Sequence, residues 1–143
     1  MESDVRRIAV SLVKLQKQLN AALAQHPEMP VTLPQLMLLN LTHQHGPYRL
    51  TDLATKIEVK PSAVTVMVDR LEKRGFVRRV PDPGDRRAVL VEVTEEGRGA
   101  LRKAWNLREE LLGRVTARLG SEEVKLLADL LERLTGERAR TGF

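Results

Sequence analysis

Apolar residues recur at every third or fourth position near the start of the chain, which is the spacing of one helix face. These positions are Val5, Ile8, Leu12, Leu15, Leu19, Ala22 and Leu23. The pattern predicts a long amphipathic helix that ends near His26 and Pro27.

A second helix is predicted to begin at Thr32. Gln35 follows three residues later and completes a capping-box pattern, while Pro34 fits the first turn because its missing N–H costs little there. Gly46 and Pro47 are expected to end this helix.

The next segment has the pattern of a short helix, a turn and a longer helix. The short helix is predicted to open near residues 49–51 and to run to about Ile57, and residues 58–60 form the turn. Pro61 occupies a favourable first helical position, and Gly75 ends the longer helix. Its predicted apolar face consists of Val64, Met67, Val68 and Leu71.

After Gly75 the apolar period changes from helical to alternating, which indicates β-structure. The predicted strands cover residues 76–80 and 87–93, and residues 81–85 form the tip of a hairpin. One face of the second strand carries Val89, Val91 and Val93, whereas Leu90 and Glu92 point the other way. One face of the hairpin is therefore expected to cover a core.

Two more helices are predicted at the end of the chain. Thr94 is the expected N-cap of the first, Gly120 ends it, and Ser121 is expected to cap the second. The apolar positions of the two helices are Leu101, Ala104, Leu111, Leu112, Val115, Leu119, Val124, Leu127, Leu131 and Leu134. The polar tail after Gly136 is expected to fray.

Length and composition favour one globular domain. The chain has 143 residues, of which 42% are hydrophobic and 30% charged, a balance that excludes disorder. No apolar run approaches the roughly 18 residues that span a bilayer, and the first residues lack the apolar region of a signal peptide. We therefore expect a cytoplasmic protein.

Candidate catalytic and metal-binding chemistry is sparse. The sequence has no cysteine, which excludes disulfides, thiolate nucleophiles and thiolate metal clusters. It contains no phosphate-binding loop or nucleophile elbow, and His43 and His45 diverge on a helix. We expect neither an enzyme nor a metal site, and no cofactor.

Positive charge is concentrated around the predicted hairpin. Seven basic and three acidic residues lie between Arg70 and Arg87, within a chain of net charge +5. A helix, turn and helix followed by a basic hairpin is typical of a winged helix-turn-helix, in which one helix fits the DNA major groove. We predict a mainly α fold with a small β-wing.

The segment LTDLATKIEVKPSAVTVMVDRLEKRGFVRRVPDPGDRRAVLVEVTEEGR resembles the MarR-type winged-helix transcriptional regulators. The residues that carry the resemblance are Leu53-Ala54, Pro61-Ser62, Val68 to Leu71, Gly75, Asp85, Arg87 and Thr94 to Gly97. The resemblance implies a sequence-specific DNA-binding regulator, a repressor that a small-molecule ligand releases from double-stranded DNA with a palindromic site.

The resemblance also implies a homodimer. Residues 1–143 then form a single MarR-type domain, with the winged helix-turn-helix at about 33–94 and dimerisation helices at about 3–26 and 95–136. Two recognition helices about 34 Å apart would read successive major-groove turns.

The family resemblance implies that residues on the exposed face of the fourth helix contact the DNA bases. By helical spacing this face and its flanks carry Ser62, Ala63, Thr65, Val66 and Arg70. Many relatives have arginine at the position of Val66, so contact with a thymine methyl is expected instead of a guanine contact. Lys60 occupies the expected N-cap, where serine or threonine is commoner, and adds a cation that reaches phosphate.

In the hairpin, Arg87 resembles the family's minor-groove arginine, and Asp85 resembles the carboxylate that orients it. Arg86 lies beside them as a second cation. A solvated surface ion pair is the alternative for Asp85 and Arg87. DNA-backbone contact and a solvated face stay equally open for Lys73, Arg74, Arg78 and Arg79.

The resemblance implies a small aromatic or anionic effector. The sequence does not identify this ligand further. Trp105 either lines a ligand crevice or packs in a core or interface. The alternative function is a winged-helix module for protein–protein contact or nonspecific DNA coating. A repressor should prefer an inverted repeat over bulk DNA by orders of magnitude.

Overall fold

A computed structural model describes residues 3–136. In that range the helices are α1 Asp4–Gln25, α2 Leu33–His45, α3 Leu50–Lys56, α4 Pro61–Lys73, α5 Glu95–Thr116 and α6 Ser121–Thr135. The strands are β1 Tyr48–Arg49, β2 Val77–Asp82 and β3 Asp85–Val93. The expected mainly α fold with a β-wing is confirmed. The tail after Gly136 lies outside the described residues.

The strands form one antiparallel sheet in the order β1-β3-β2. Both hairpin strands are longer than the alternation predicted, because Pro81 and Asp82 continue β2 and Asp85 begins β3. The tip is therefore a two-residue connection, Pro83-Gly84. Strand β1 was not predicted from the sequence, since two residues are too few to show an alternating pattern.

The core lies under the sheet and between α2, α3, α4 and the first half of α5. Its fully buried larger side chains come from every one of these elements: Leu38, Leu39, Leu53, Val64, Val68, Leu71, Val77, Val91 and Leu101. The expected core face of α4 is confirmed for three positions, while Met67 is only partly buried.

One prediction about the hairpin face was wrong. Val91 and Val93 are buried as expected, but Val89 is 39% exposed. Val89 pairs with Pro81 near the wing tip, beyond the helices that cover the other two valines. The distal hairpin therefore projects away from the core.

Two of the expected helix caps are confirmed, and the one expected at Ser121 is wrong. Thr32 and Gln35 form the expected capping box, and the Thr94 hydroxyl accepts the Gly97 N–H at 3.1 Å. Ser121, however, is the first residue of α6 and not its cap. Gly120 is the N-cap, and its N–H donates to the Glu123 carboxylate at 3.3 Å. The glutamate side chain thus supports the helix start without a serine cap.

Helices α1 and α6 contribute little to this core. Leu23 is the one buried residue of α1, and α6 has no buried residue within the described chain. The outward apolar side chains of these two helices are Val5, Ile8, Val10, Leu12, Val13, Leu126, Leu127, Leu130, Leu131 and Leu134. Among residues 3–136, each helix is too short or too polar to span a lipid bilayer.

Gly97 is the point at which α5 approaches the base of the wing. A Cβ atom there would lie 2.1 Å from the Phe76 carbonyl oxygen and 2.7 Å from Val93 Cγ2. Gly97→Ala should therefore lower the free energy of unfolding by at least about 2 kcal/mol, because backbone must move to admit the methyl group. Urea unfolding measures this change.

Gly99→Ala on the same helix is the matched control. A Cβ atom at Gly99 has only the flexible end of Arg102 within 4 Å, at 3.8 Å. This variant should gain about 0.5–1 kcal/mol, because alanine loses less backbone entropy in a helix. Equal effects of the two substitutions would contradict the close contact at Gly97.

Candidate nucleic-acid interface

Helices α3 and α4 are joined by a tight turn at residues 57–60. The Val59 N–H donates to the Ala54 carbonyl at 3.1 Å, and Glu58 adopts a left-handed φ of 56°. Leu53 of α3 and Val64 of α4 are both buried in the same core. The turn and the core together fix the direction in which α4 presents its outer face.

The outer face of α4 contains every residue that the sequence assigned to base reading. Their side chains are all exposed: Ser62, Ala63, Thr65, Val66 and Arg70. Val66 is 48% exposed although it is apolar, and the Thr65 hydroxyl donates to the Pro61 carbonyl at 3.1 Å. That hydroxyl keeps its acceptor lone pairs for an external donor. The face thus offers an apolar contact beside a small polar one.

Lys60 is the N-cap of α4, as expected from the sequence. Its carbonyl oxygen accepts the N–H groups of Ala63 and Val64 at 2.9 and 3.1 Å, and its side chain makes no capping hydrogen bond. The exposed ammonium group therefore extends from the N-terminal end of α4, where an anion is favoured electrostatically.

The wing carries Arg86 and Arg87 at the exposed start of β3. The structure differs here from the expected ion pair. Asp85 Oδ1 accepts the backbone N–H of Arg87 at 3.0 Å, and no ion pair joins the two side chains among the described residues. A short aspartate side chain reaches its own backbone two residues on more readily than a long guanidinium. Asp85 therefore fixes the strand start rather than the Arg87 side chain.

Strand β1 ties the wing to the rest of the lobe. Arg49 Nη2 lies 2.9 Å from Asp82 Oδ2, and the Gly84 N–H donates to Asp82 Oδ1 at 2.9 Å. The Gly84 N–H, followed by Arg49, holds the pKa of Asp82 below its ordinary value. The carboxylate stays ionised near neutral pH and anchors the Pro83-Gly84 tip.

Four basic residues were left open between DNA-backbone contact and a solvated face, and three of them contact other groups of the protein. The Arg74 guanidinium donates to the Pro30 carbonyl and stacks 4.6 Å from the Phe76 ring centroid. Arg78 Nε lies 2.5 Å from Glu92 Oε1. Arg79 pairs with two carboxylates of α4. Lys73 remains exposed on α4.

Lys73 and four further cations make no ion pair within residues 3–136, and their side chains surround the outer face of α4 and the wing. These are Lys60, Arg70, Lys73, Arg86 and Arg87. Positive side chains without intramolecular partners attract a polyanion, and phosphate contacts of this kind dominate affinity for DNA. The arrangement combines a helix face of groove size with a flanking cationic hairpin.

Comparison with known proteins agrees with this geometry. Residues 31–89 match the family model described as the MarR family. The HTH-type transcriptional repressor MdtR from Bacillus subtilis is 34% identical over 104 residues, which cover 73% of this chain and 67% of MdtR. The chain belongs to the MarR family. The expected family resemblance is thus confirmed, and the chain is a MarR-family transcriptional regulator.

Solved structures of MarR-family proteins extend the match to nearly the whole chain. The transcriptional regulator Tm0710 from Thermotoga maritima has a TM-score of 0.78 at 29% identity, over 92% of this chain and 93% of its own. A mutant MarR from E. coli complexed with operator DNA has a TM-score of 0.63 at 25% identity, over 92% and 95%. The helices outside the lobe therefore belong to the shared fold.

Besides strand β1, the sequence missed two sets of ion pairs in this MarR-family lobe. The Arg49 and Asp82 pair joins residues 33 positions apart, and the Arg79 pairs join β2 to α4. Helical and alternating periods report which face is buried, but they do not report which exposed charges meet. The seven basic residues near the hairpin were the one feature of the sequence that pointed to charged contacts in this region.

In this MarR-family chain His45 contacts an aromatic ring, and Trp105 lines a cavity. The His45 ring lies 6.1 Å from the Tyr48 ring in an edge-on arrangement. Within residues 3–136, no three histidine, aspartate or glutamate side chains are grouped closely enough to hold a metal ion. Trp105 lies 43% exposed at a small cavity between α2 and α5.

Proposed function

We propose that this regulator acts as a homodimer that represses transcription by binding an inverted repeat in double-stranded DNA. Helix α4 of each protomer enters the major groove, where Ser62, Ala63, Thr65 and Val66 contact base edges. Arg87 enters the adjacent minor groove, while Lys60, Arg70 and Arg86 contact phosphate. Asp85 supports the wing through its bond to the Arg87 backbone.

The observation that carries this proposal is the outer face of α4. Its residues are exposed, they serve no part of the core, and cations without ion-pair partners surround them within the described chain. A major groove admits one such helix. The E. coli MarR structure that this chain resembles was solved with operator DNA, which supports the same use of the shared lobe.

The apolar faces of α1 and α6 support the dimer. Five large apolar residues on each helix are exposed in one protomer. Monomeric proteins rarely expose a contiguous apolar surface of this extent, so a second copy of the chain is the proposed occupant. Helices 3–26 and 95–136 thus form a dimerisation region beside a winged helix-turn-helix at 33–94, all within one MarR-type domain.

A small cavity supports regulation by an effector. It has a volume of about 100 Å³ and is lined by Leu36, Asn40, Ala104, Trp105 and Arg108. The Asn40 Oδ1 atom is buried and has no hydrogen-bond partner among the described residues. Arg108 lies 5.8 Å from the Trp105 ring centroid. The lining offers a ring, a cation and an unpartnered acceptor, which match the chemistry of a small aromatic or anionic molecule with a donor group, and such a ligand requires the cavity to widen.

The cavity lies between α2 of the DNA-binding lobe and α5 of the proposed dimer region. An effector that binds one lobe orientation more tightly than another would shift the spacing of the two α4 helices and release DNA. The name of the relative MdtR describes it as a transcriptional repressor, which supports the repression step for this chain. The release step is our proposal for this chain.

We expect a small aromatic carboxylate that also carries a hydroxyl donor, chosen from a panel of hydroxybenzoates, to raise the melting temperature and weaken DNA binding. Asn40→Leu should abolish the melting-temperature shift, because it removes the buried acceptor and fills the cavity. Asn106→Leu on α5 is the control, since Asn106 is exposed outside the cavity lining. An unchanged shift in Asn40→Leu would contradict binding at this cavity.

DNA selectivity tests the main proposal. The wild-type protein is used to enrich duplexes from a randomised pool, and anisotropy then compares the enriched duplex with a scrambled duplex of equal length. We expect a preference of about 10³-fold or more, and a loss of at least about 10³-fold between 50 and 200 mM salt if six phosphates are contacted. Equal affinity for both duplexes would support nonspecific coating, and no binding would support a protein-contact module.

Regulation of transcription requires access to DNA, so we also propose a cytoplasmic location. No enzymatic step and no cofactor are part of the proposal, since the relatives that match this chain are transcriptional regulators.

A further inference from the structure

Two carboxylates lie on the part of α4 proposed to face DNA. Asp69 follows Val66 by three residues and Ser62 by seven, so it shares their stripe, and Glu72 extends the stripe by another turn. The Asp69 and Glu72 side chains are 52% and 40% exposed. Negative charges at this place would repel phosphate unless another group neutralised them.

Arg79 neutralises both carboxylates from the first strand of the wing. Its Nη2 atom lies 2.5 Å from Asp69 Oδ1, and its Nη1 atom lies 2.7 Å from Glu72 Oε1. The Arg79 backbone N–H also donates to Glu72 Oε2 at 3.1 Å. Three hydrogen bonds from one residue of β2 therefore reach one face of α4.

The Arg79 side chain is partly enclosed by this arrangement, with 28% of its surface exposed. The neighbouring Arg78 is 61% exposed and pairs with Glu92 of β3, so its contact stays within the hairpin. Hydrogen bonds to Asp69 and, to a smaller extent, to Glu72 raise the pKa of Arg79 above its ordinary value. The positive charge is thus fixed at the junction of wing and helix.

We propose that Arg79 is a positioning residue for DNA reading, which holds the wing at a set angle to α4 and neutralises the carboxylates on the reading face. The inference rests on the proposed DNA-binding function and deepens it. Accessible ion pairs of this kind add little to folding stability. Their loss should therefore appear in DNA selectivity before it appears in unfolding.

The test compares Arg79→Ala, the control Arg78→Ala and the double variant Asp69→Ala/Glu72→Ala. Both arginine variants remove one positive charge from the same strand, but only the first breaks the contact with α4. The probes are the duplex enriched by the wild-type protein and its scrambled counterpart, each titrated by anisotropy at several salt concentrations. Thermal unfolding is recorded for every variant.

We expect Arg79→Ala to lower the ratio of specific to scrambled affinity about tenfold relative to Arg78→Ala. The double variant should bind the scrambled duplex more tightly than the wild type, because two negative charges are gone, yet its affinity ratio should fall. This second variant also keeps the test decisive if Arg79→Ala does not fold.

Three results would overturn the proposal. Unchanged affinity ratios with a lower melting temperature would make Arg79 a purely structural residue. Equal losses on both duplexes, with a salt slope reduced by about one, would make it a phosphate contact. A wild-type protein that prefers neither duplex would overturn the DNA-reading function itself, and this inference with it.

Discussion

Leu127→Asp is expected to convert the protein to a monomer and to lower affinity for its enriched duplex by about 10²- to 10⁴-fold. Leu127 lies in the groove between α1 and α6, beside Ile8 and Leu12. A carboxylate placed beside these apolar side chains in the proposed interface would lose its hydration, which opposes dimer formation. Arg7 lines the same groove but already pairs with Asp4 at 2.9 Å. A monomer engages one half-site and loses the high effective concentration that linkage gives the second.

Sedimentation at micromolar concentration and anisotropy measure the two effects together. Lys125→Ser is the matched control, because it changes the charge by the same amount on the opposite side of α6. This control should remain a dimer with wild-type affinity. A wild-type protein that sediments as a 16.1 kDa species would contradict the proposed dimer.

Arg87→Ala is expected to weaken binding to the enriched duplex by about 10- to 100-fold, and most strongly where the flanks are rich in A·T pairs. Such flanks have a narrow minor groove with enhanced negative potential, which attracts an inserted guanidinium. The melting temperature should hardly change, because Arg87 is exposed and its side chain makes no ion pair within residues 3–136.

Arg118→Ala is the control for Arg87→Ala, since Arg118 is an exposed arginine beyond α5 and far along the chain from the wing. It should leave DNA selectivity unchanged. If Arg87→Ala kept its affinity for the enriched duplex while losing thermal stability, Arg87 would be a structural residue and not a groove contact.

The spacing of hydrophobic residues determined which parts of the fold could be predicted from the sequence. The buried stripe of α4 follows the three- and four-residue spacing at Val64, Val68 and Leu71, so its opposite face was predicted as well. The same spacing in α1 and α6 predicted the helices correctly, although their apolar faces stay exposed in one protomer. Such spacing shows that a helix face is apolar and must be buried, but it does not show which surface buries it.

Features that depend on tertiary contacts of the wing were misplaced. Val89 alternates correctly but lies beyond the helices that cover Val91 and Val93, so its exposure depends on tertiary structure. Asp85 was assigned to the Arg87 guanidinium, whereas it bonds to the backbone of the same residue. Both outcomes depend on where the wing ends, which the tip sequence alone does not fix.

Hydroxyl-radical footprinting of the enriched duplex shows whether paired α4 helices read an inverted repeat. We expect one dimer per inverted repeat, with two protected half-sites about 10–10.5 bp apart from centre to centre and protected minor grooves beside them. Arg87→Ala should lose the minor-groove protection and keep the central pattern. Uniform protection along the duplex, with no half-site spacing, would contradict reading by paired α4 helices.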